Sequence, residues 1–132
     1  MDISYGTDLS VEPKEVADLF RRSGIRRPFD DLKRITRMVK NANLIVCARD
    51  GKKLVGIARA LTDFSYCCYL SDLAVDRDYH SKGIGKELVN KIIEAVSDEV
   101  MILLLSAPEA ESYYLHIGFE KAENAWRIPR KR

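Results

Sequence analysis

The sequence predicts an α+β fold built on a mixed sheet, and three observations carry that prediction. Two β-type runs, Leu44–Ala48 and Leu54–Leu61, flank Asp50-Gly51, a dipeptide suited to the positive φ of a tight antiparallel turn. Residues 66–105 read as buried strand, loop, amphipathic helix and buried strand, a crossover long enough to make its two strands parallel. Two segments with helical spacing of apolar residues precede the hairpin. The full order is strand, two helices, three strands, helix, strand, helix, strand.

Each element has its own reason. Ile3–Tyr5 is a short first strand. Ser10 and Pro13 open a helix with Val16, Leu19 and Phe20 on one face, and Gly24 closes it. Pro28 and the pair Asp30–Asp31 start a second helix carrying Leu32, Ile35, Met38 and Val39. Its acidic start and its Lys40 end suit the helix dipole. In Tyr66–Val75 apolar side chains fall at both parities, which predicts a central strand covered on both faces. Ile84, Leu88, Val89, Ile92, Ile93 and Val96 form one stripe of a helix over Gly83–Val96. Val100–Leu105 is a buried strand. Pro108 opens a short helix with Ala110, Tyr113, Tyr114 and Ile117 in helical register, and Gly118 ends it. Phe119–Ile128 is expected to finish the sheet.

With 132 residues, 46% hydrophobic and 32% charged, the chain is expected to be one globular domain over residues 1–132. A formal charge of +2 implies no general attraction to nucleic acid or to a membrane. Charge is less even locally, with eight basic residues against two acidic ones from Arg21 to Lys40, and a basic tail over Arg127–Arg132. These are solvated helical faces and a terminus, or a rim for an anionic substrate or coenzyme phosphates. The start, MDISYGTDLS, pairs no basic segment with an apolar run, so no secretory leader is expected. Val100–Leu105 is too short to span a bilayer. Cys47, Cys67 and Cys68 lack metal-type spacing, and no metal site is expected; reduced thiols suit a cytoplasmic setting.

The chemistry concentrates in YLSDLAVDRDYHSKGIGKELVNKII, residues 69–93. A strand runs into a glycine-bearing loop that opens a long helix, whose first turn presents free N–H groups and a positive dipole end to an anion. Gly83 and Gly85 let main chain approach a phosphate, while Lys82, Lys86 and Arg77 add charge and Ser81 a hydroxyl. The glycine spacing fits neither a Walker loop nor a dinucleotide fingerprint. Close helix–strand packing is the alternative reason for both glycines.

Val75-x4-His80-x-x-Gly83-x-Gly85 resembles the coenzyme A signature of the GNAT superfamily of N-acetyltransferases, usually Gln/Arg-x-x-Gly-x-Gly/Ala. Asp72-Leu73-Ala74-Val75 is similar to that family's central strand, and Ser112–Phe119 resembles its Phe/Leu-Tyr-x-x-x-Gly-Phe segment. The resemblance covers essentially the whole chain. It implies the GNAT fold, layered α/β/α, with a mixed central sheet of six to seven strands flanked by about four helices. It also implies an acetyltransferase using acetyl-CoA as cosubstrate, without a metal. Leu73, Ala74 and Val75 would meet the acetyl-pantetheine arm, with the Leu73 N–H on the developing oxyanion. His80, Ser81, Lys82, Gly83, Ile84, Gly85 and Lys86 would hold the pyrophosphate. His80 stands where Gln or Arg is usual, but it can still donate a hydrogen bond and would gain charge as the pH falls.

By the same resemblance, Tyr114 is the general acid for the departing thiolate, and Tyr113 is a packing residue. A neutral attacking amine requires that its proton be lost first. Some relatives carry a Glu on the central strand, where this chain has Tyr69. Asp72 is near, though strand parity sends it to the opposite face, so no base is assigned and a water chain serves equally. Gly56-x-Ala58-Arg59-x-x-Thr62-Asp63 is also similar to members acting on arylalkylamines. The expected acceptor is a primary amine of a small molecule, attacking directly in a ternary complex. The alternatives are a protein or peptide acceptor, or a silent coenzyme A-binding sensor. No nucleic-acid motif is present. Many relatives dimerise, so a homodimer is compatible with the resemblance.

Overall fold

A computed structural model describes residues 2–132. Its element order is β1 (Ile3–Thr7), α1 (Pro13–Ser23), α2 (Leu32–Asn41), β2 (Leu44–Asp50), β3 (Lys53–Thr62), β4 (Cys67–Val75), α3 (Ile84–Val96), β5 (Met101–Leu103) and α4 (Glu111–His116). The sheet runs β1-β2-β3-β4-β5, antiparallel as far as β4 and parallel between β4 and β5. The α+β class, the hairpin and the parallel crossover are as the sequence predicts.

Helices cover both faces. On one side α3 buries Ile84, Leu88, Val89, Ile92 and Val96 against Leu44, Val46, Val55, Ala58, Ala60, Cys68 and Leu70. Burying each of those large α3 side chains stabilises the fold by about 1.5–3 kcal/mol. Ile93, assigned to the same stripe from sequence, is 49% exposed. On the other side α1 and α2 place Val16, Leu19, Phe20, Ile35 and Val39 over Ile45, Cys47, Leu54, Ile57 and Ala74. Gly56 brings α3 close to β3, since a Cβ there would meet Ile84 Cγ2 and Leu88 Cδ1 at 3.0 Å. Asp31 caps α2, its side chain accepting from the Arg34 N–H at 3.1 Å, so the helix starts later than Pro28.

Two features of the sheet shape the site. The β3–β4 register slips between Arg59 and Ala60: Arg59 pairs with Asp72 and Ala60 with Leu70, so Ser71 is the extra residue of a bulge. The bulge reverses side-chain parity along β4. Cys68 and Leu70 face α3, as do Leu73 and Val75, while Ala74 joins the core under α1. Second, β5 pairs with β4 only from Cys67 to Tyr69. Beyond Tyr69 that edge of β4 is open, and the two strands part.

The expectation of six to seven strands is corrected to five among the described residues. Phe119–Ile128 makes no strand. β5 offers only three residues for pairing, and Trp126 and Ile128 are 94% and 95% exposed, with no layer over them. No helix among the described residues is long and apolar enough to cross a membrane.

Candidate active site

The open edge of β4, the loop before α3 and helix α4 enclose a cleft of about 670 Å³. Its walls include Leu73, Ala74, Val75, His80, Ser81, Gly83, Ile84, Gly85, Lys86, Tyr113 and Tyr114. The structure thus gathers the residues expected from sequence to meet the coenzyme, except Lys82, which is exposed in the loop, and Arg77. Ser23, Gly24 and Ile25 from the end of α1 close one side, and Glu109, His116 and Ile117 another. These had no signal in the sequence, because only the folded chain brings them here.

The loop conformation explains the amide row. Ser81 and Gly83 both lie in the left-handed region, at φ 65° and 77°. For Ser81 this costs about 1–2 kcal/mol; for Gly83, the N-cap of α3, it costs little. Among the described residues, no N–H from Ser81 to Lys86 donates to a main-chain carbonyl; the first bond of the helix runs from the Glu87 N–H to the Gly83 carbonyl at 3.1 Å. These amides stand at the positive end of a 13-residue helix, with Lys86 beside them. Such an array fits the diphosphate of a coenzyme.

The strand supplies a second set of main-chain groups. The Asp76 N–H donates to Val55 O on β3 at 2.9 Å. Alternation along β4 therefore turns the Ala74 amide to β3 as well, and the Leu73 and Val75 amides to the open edge. His80 Nε2 donates to the Val75 carbonyl at 2.9 Å, on that same open side. Its ring thus braces the loop against the strand. Arg77 also departs from expectation: its guanidinium lies against Gly24, at the end of α1.

Two phenols face the cleft from α4. Tyr114 packs edge-on against Tyr113 and Phe119, with ring centroids 5.4 and 5.6 Å away. Neither hydroxyl is engaged; among the described residues the tyrosine hydroxyl bond is that of Tyr79 to Asp50, at 2.6 Å. Burial raises the pKa of both phenols; for Tyr114 the neighbouring Tyr113 adds to the rise and Arg27 opposes it. Both are neutral donors at physiological pH. Tyr113 packs edge-on against Tyr114, and its hydroxyl reaches Gly85 at the start of α3.

Asp72 is not a free carboxylate. The bulge places it on the face where Arg59 stands, reversing the parity expected from sequence. Its side chain is fully buried and is held by the Nε groups of both Arg59 and Arg27. Arg59 also donates to Ser71 Oγ at 3.0 Å and to Met38 O at 3.1 Å. Arg59 could have been paired with Asp72 from sequence had the bulge been legible; Arg27, from the α1–α2 loop, left no trace.

Comparison with known proteins agrees with this geometry. The model of the acetyltransferase (GNAT) domain family matches residues 16–127. The uncharacterised N-acetyltransferase ycf52 of Pyropia yezoensis is 28% identical over 127 residues, covering 91% of this chain and 71% of its own length. The chain spans only 28% to 54% of three further curated relatives. A probable acetyltransferase of Staphylococcus aureus, SA2161, superposes with a TM-score of 0.84 at 18% identity, covering 99% of this chain and all of the other. The aminoglycoside N-acetyltransferase AAC(6')-Iy, solved in complex with CoA, superposes at 0.75 with 14% identity, over 99% and 96% of the two chains.

Proposed function

The chain belongs to the acetyltransferase (GNAT) family, and on that footing we propose that it carries acetyl from acetyl-CoA to a primary amine of a small molecule, by direct attack in a ternary complex. One observation carries the reading. A row of unengaged amides from Ser81 to Lys86 caps α3 beside the unpaired edge of β4, within one cleft that also receives Tyr114. Acetyl-CoA would supply an activated acyl thioester.

This chain's own groups then have distinct tasks. The amides of Ser81 to Lys86, with the Lys86 ammonium, hold the diphosphate. The Val75 amide and its neighbours orient the extended arm along β4. The Leu73 N–H, turned to the open edge, donates where negative charge develops on the acyl oxygen; such a preorganised donor is typically worth about 3 kcal/mol. Tyr114, a neutral phenol whose pKa burial raises further, gives its proton to the departing sulfur. Asp72 is bound by two guanidiniums and is not available as a base, and a water chain to solvent can take the amine's proton.

A small-molecule acceptor is favoured by the compact walls that α1, β4 and α4 put around the Leu73 amide. Three unpaired thiols, Cys47, Cys67 and Cys68, support a cytoplasmic setting. Calorimetry with coenzyme A, followed by acetyl-CoA consumption over amines, amino sugars, polyamines and peptides, tests the proposal. Heat with coenzyme A and turnover of a small amine are expected. Absence of coenzyme A binding overturns the reading, and turnover confined to peptides moves the acceptor to protein.

A further inference from the structure

We propose that Arg27 forms an anion subsite on the acceptor side of the cleft, so that the preferred acceptor is a small primary amine carrying a carboxylate. This rests on the acetyltransferase reading above and names the substrate class for it.

The argument begins with charge. Two guanidiniums, Arg27 and Arg59, share the single carboxylate of Asp72. Among the described residues neither has another acidic partner, so the cluster keeps one net positive charge. Arg59 is buried, with 8% of its side chain exposed, whereas Arg27 is 27% exposed. The surplus charge therefore meets solvent at Arg27.

Geometry decides where that charge points. Arg27 donates from Nε to Asp72, from Nη2 to Ser71 O at 2.8 Å and from Nη1 to Arg26 O at 2.7 Å. A guanidinium has five N–H donors, so about two remain for a ligand. Ser71 is the bulge residue, two positions before Leu73, whose amide would donate to the acyl oxygen. Arg27 is not itself a wall residue of the cleft, but it lies two residues beyond Ile25, which is, and its charge is near enough to oppose the rise in the Tyr114 pKa. Its position is set by three internal bonds, so little side-chain entropy remains to be lost on binding.

The same charge has a chemical consequence. An ammonium bound near a guanidinium gives up its proton more readily than in water. That suits a site in which the carboxylate of Asp72 is already committed to two guanidiniums. A carboxylate on the acceptor offsets the repulsion by accepting from Arg27 while the amine, once neutral, reaches the acyl carbon. An unsubstituted alkylamine or polyamine has no group to make that contact.

Matched acceptors test it directly: lysine against cadaverine, phenylalanine against phenethylamine, tryptophan against tryptamine, with acetyl-CoA consumption as the readout. The acid of at least one pair is expected to exceed its decarboxylated partner about tenfold or more in kcat/KM, mainly through KM, because a charge-assisted hydrogen bond is worth about that factor. In Arg27→Gln the ratio within that pair collapses toward one, and Arg27→Lys, which keeps the charge without the fork, restores part of it. Equal turnover of acid and amine by the wild type, preference for the amine, or turnover of peptides alone overturns the proposal, and so does an unchanged ratio in Arg27→Gln. The wild-type comparison decides the matter even if the Gln variant fails to fold. Coenzyme A calorimetry separates the two levels: binding retained without carboxylate preference sinks this subsite alone, whereas lost coenzyme A binding by the wild type sinks the acetyltransferase reading.

Discussion

A Cβ on Gly85 would overlap the hydroxyl oxygen of Tyr113, so the first turn of α3 and the Tyr113 phenol of α4 meet across the cleft with no room for a side chain at residue 85 unless the phenol moves. Gly85 has an ordinary helical role and no positive φ. Its constraint is space. The contact sets how far α4 stands from the amides that would hold the diphosphate.

Gly85→Ala is therefore expected to push Tyr113 out and weaken coenzyme A binding about tenfold, an overpacking cost of about 1–3 kcal/mol. Adding Tyr113→Phe removes the overlapping oxygen and recovers part of the affinity. Calorimetric titration of the two variants checks this, and no recovery in the double variant refutes the packing account.

Tyr114→Phe removes the proton donor and leaves the ring packing with Phe119. A fall in kcat of about 10²- to 10⁴-fold is expected, with coenzyme A affinity nearly unchanged. The protonated phenol is the active form and burial raises its pKa above the ordinary value near 10. Activity should thus persist through mildly alkaline pH and decline only above about pH 10, and the variant's residual rate should lack that limb. Turnover unaffected by the substitution removes the catalytic role.

Asp76 is 2% exposed. Burial would raise its pKa, but the Asp78 N–H, Arg22 and Lys53 together outweigh that and hold it below the ordinary value. A depressed carboxyl pKa adds stability that is complete above the unfolded value of about 4 and is lost as the pH falls through the folded one. Asp76→Asn should cost about 2 kcal/mol at neutral pH, or ~8 °C in Tm. The gap from wild type should close as the pH falls below about 4 in thermal melts. A gap constant with pH would contradict the assignment.

The segment after Phe119 contributes little to the core, with Trp126 and Ile128 almost fully exposed. Deleting residues 124–132 is expected to shift Tm by no more than about 3 °C. A larger loss would mean that these side chains are covered in solution.

The β4–loop–α3 unit was legible from residue order because its signals are local. The Ile84 to Val96 stripe, the positive-φ glycine at position 83 and the strand before them each act over a few residues. Ile93 and Phe119–Ile128 misled for one reason. Apolar residues at suitable spacing say that a face could be buried, and not whether a partner layer exists to bury it.

Asp72 shows the other limit. An unbroken strand would put it on the opposite face, and one inserted residue, Ser71, reverses that. A bulge depends on the register between β3 and β4, which no window within either strand contains. Arg27 reached Asp72 from 45 positions away, and only the packing of the α1–α2 loop on the sheet could reveal that.

The sequence by itself determined the α+β class, the hairpin, the parallel crossover and the loop whose amides await an anion, because periodicity, turn chemistry and helix-end dipoles are properties of neighbouring residues. Tertiary structure alone decided that the sheet has five strands, that the β4 edge opens beyond Tyr69, that Asp72 is spent on two arginines and that Tyr113 meets Gly85. Each of those depends on which distant segments share a surface, and that is settled by packing and charge pairing in the folded chain.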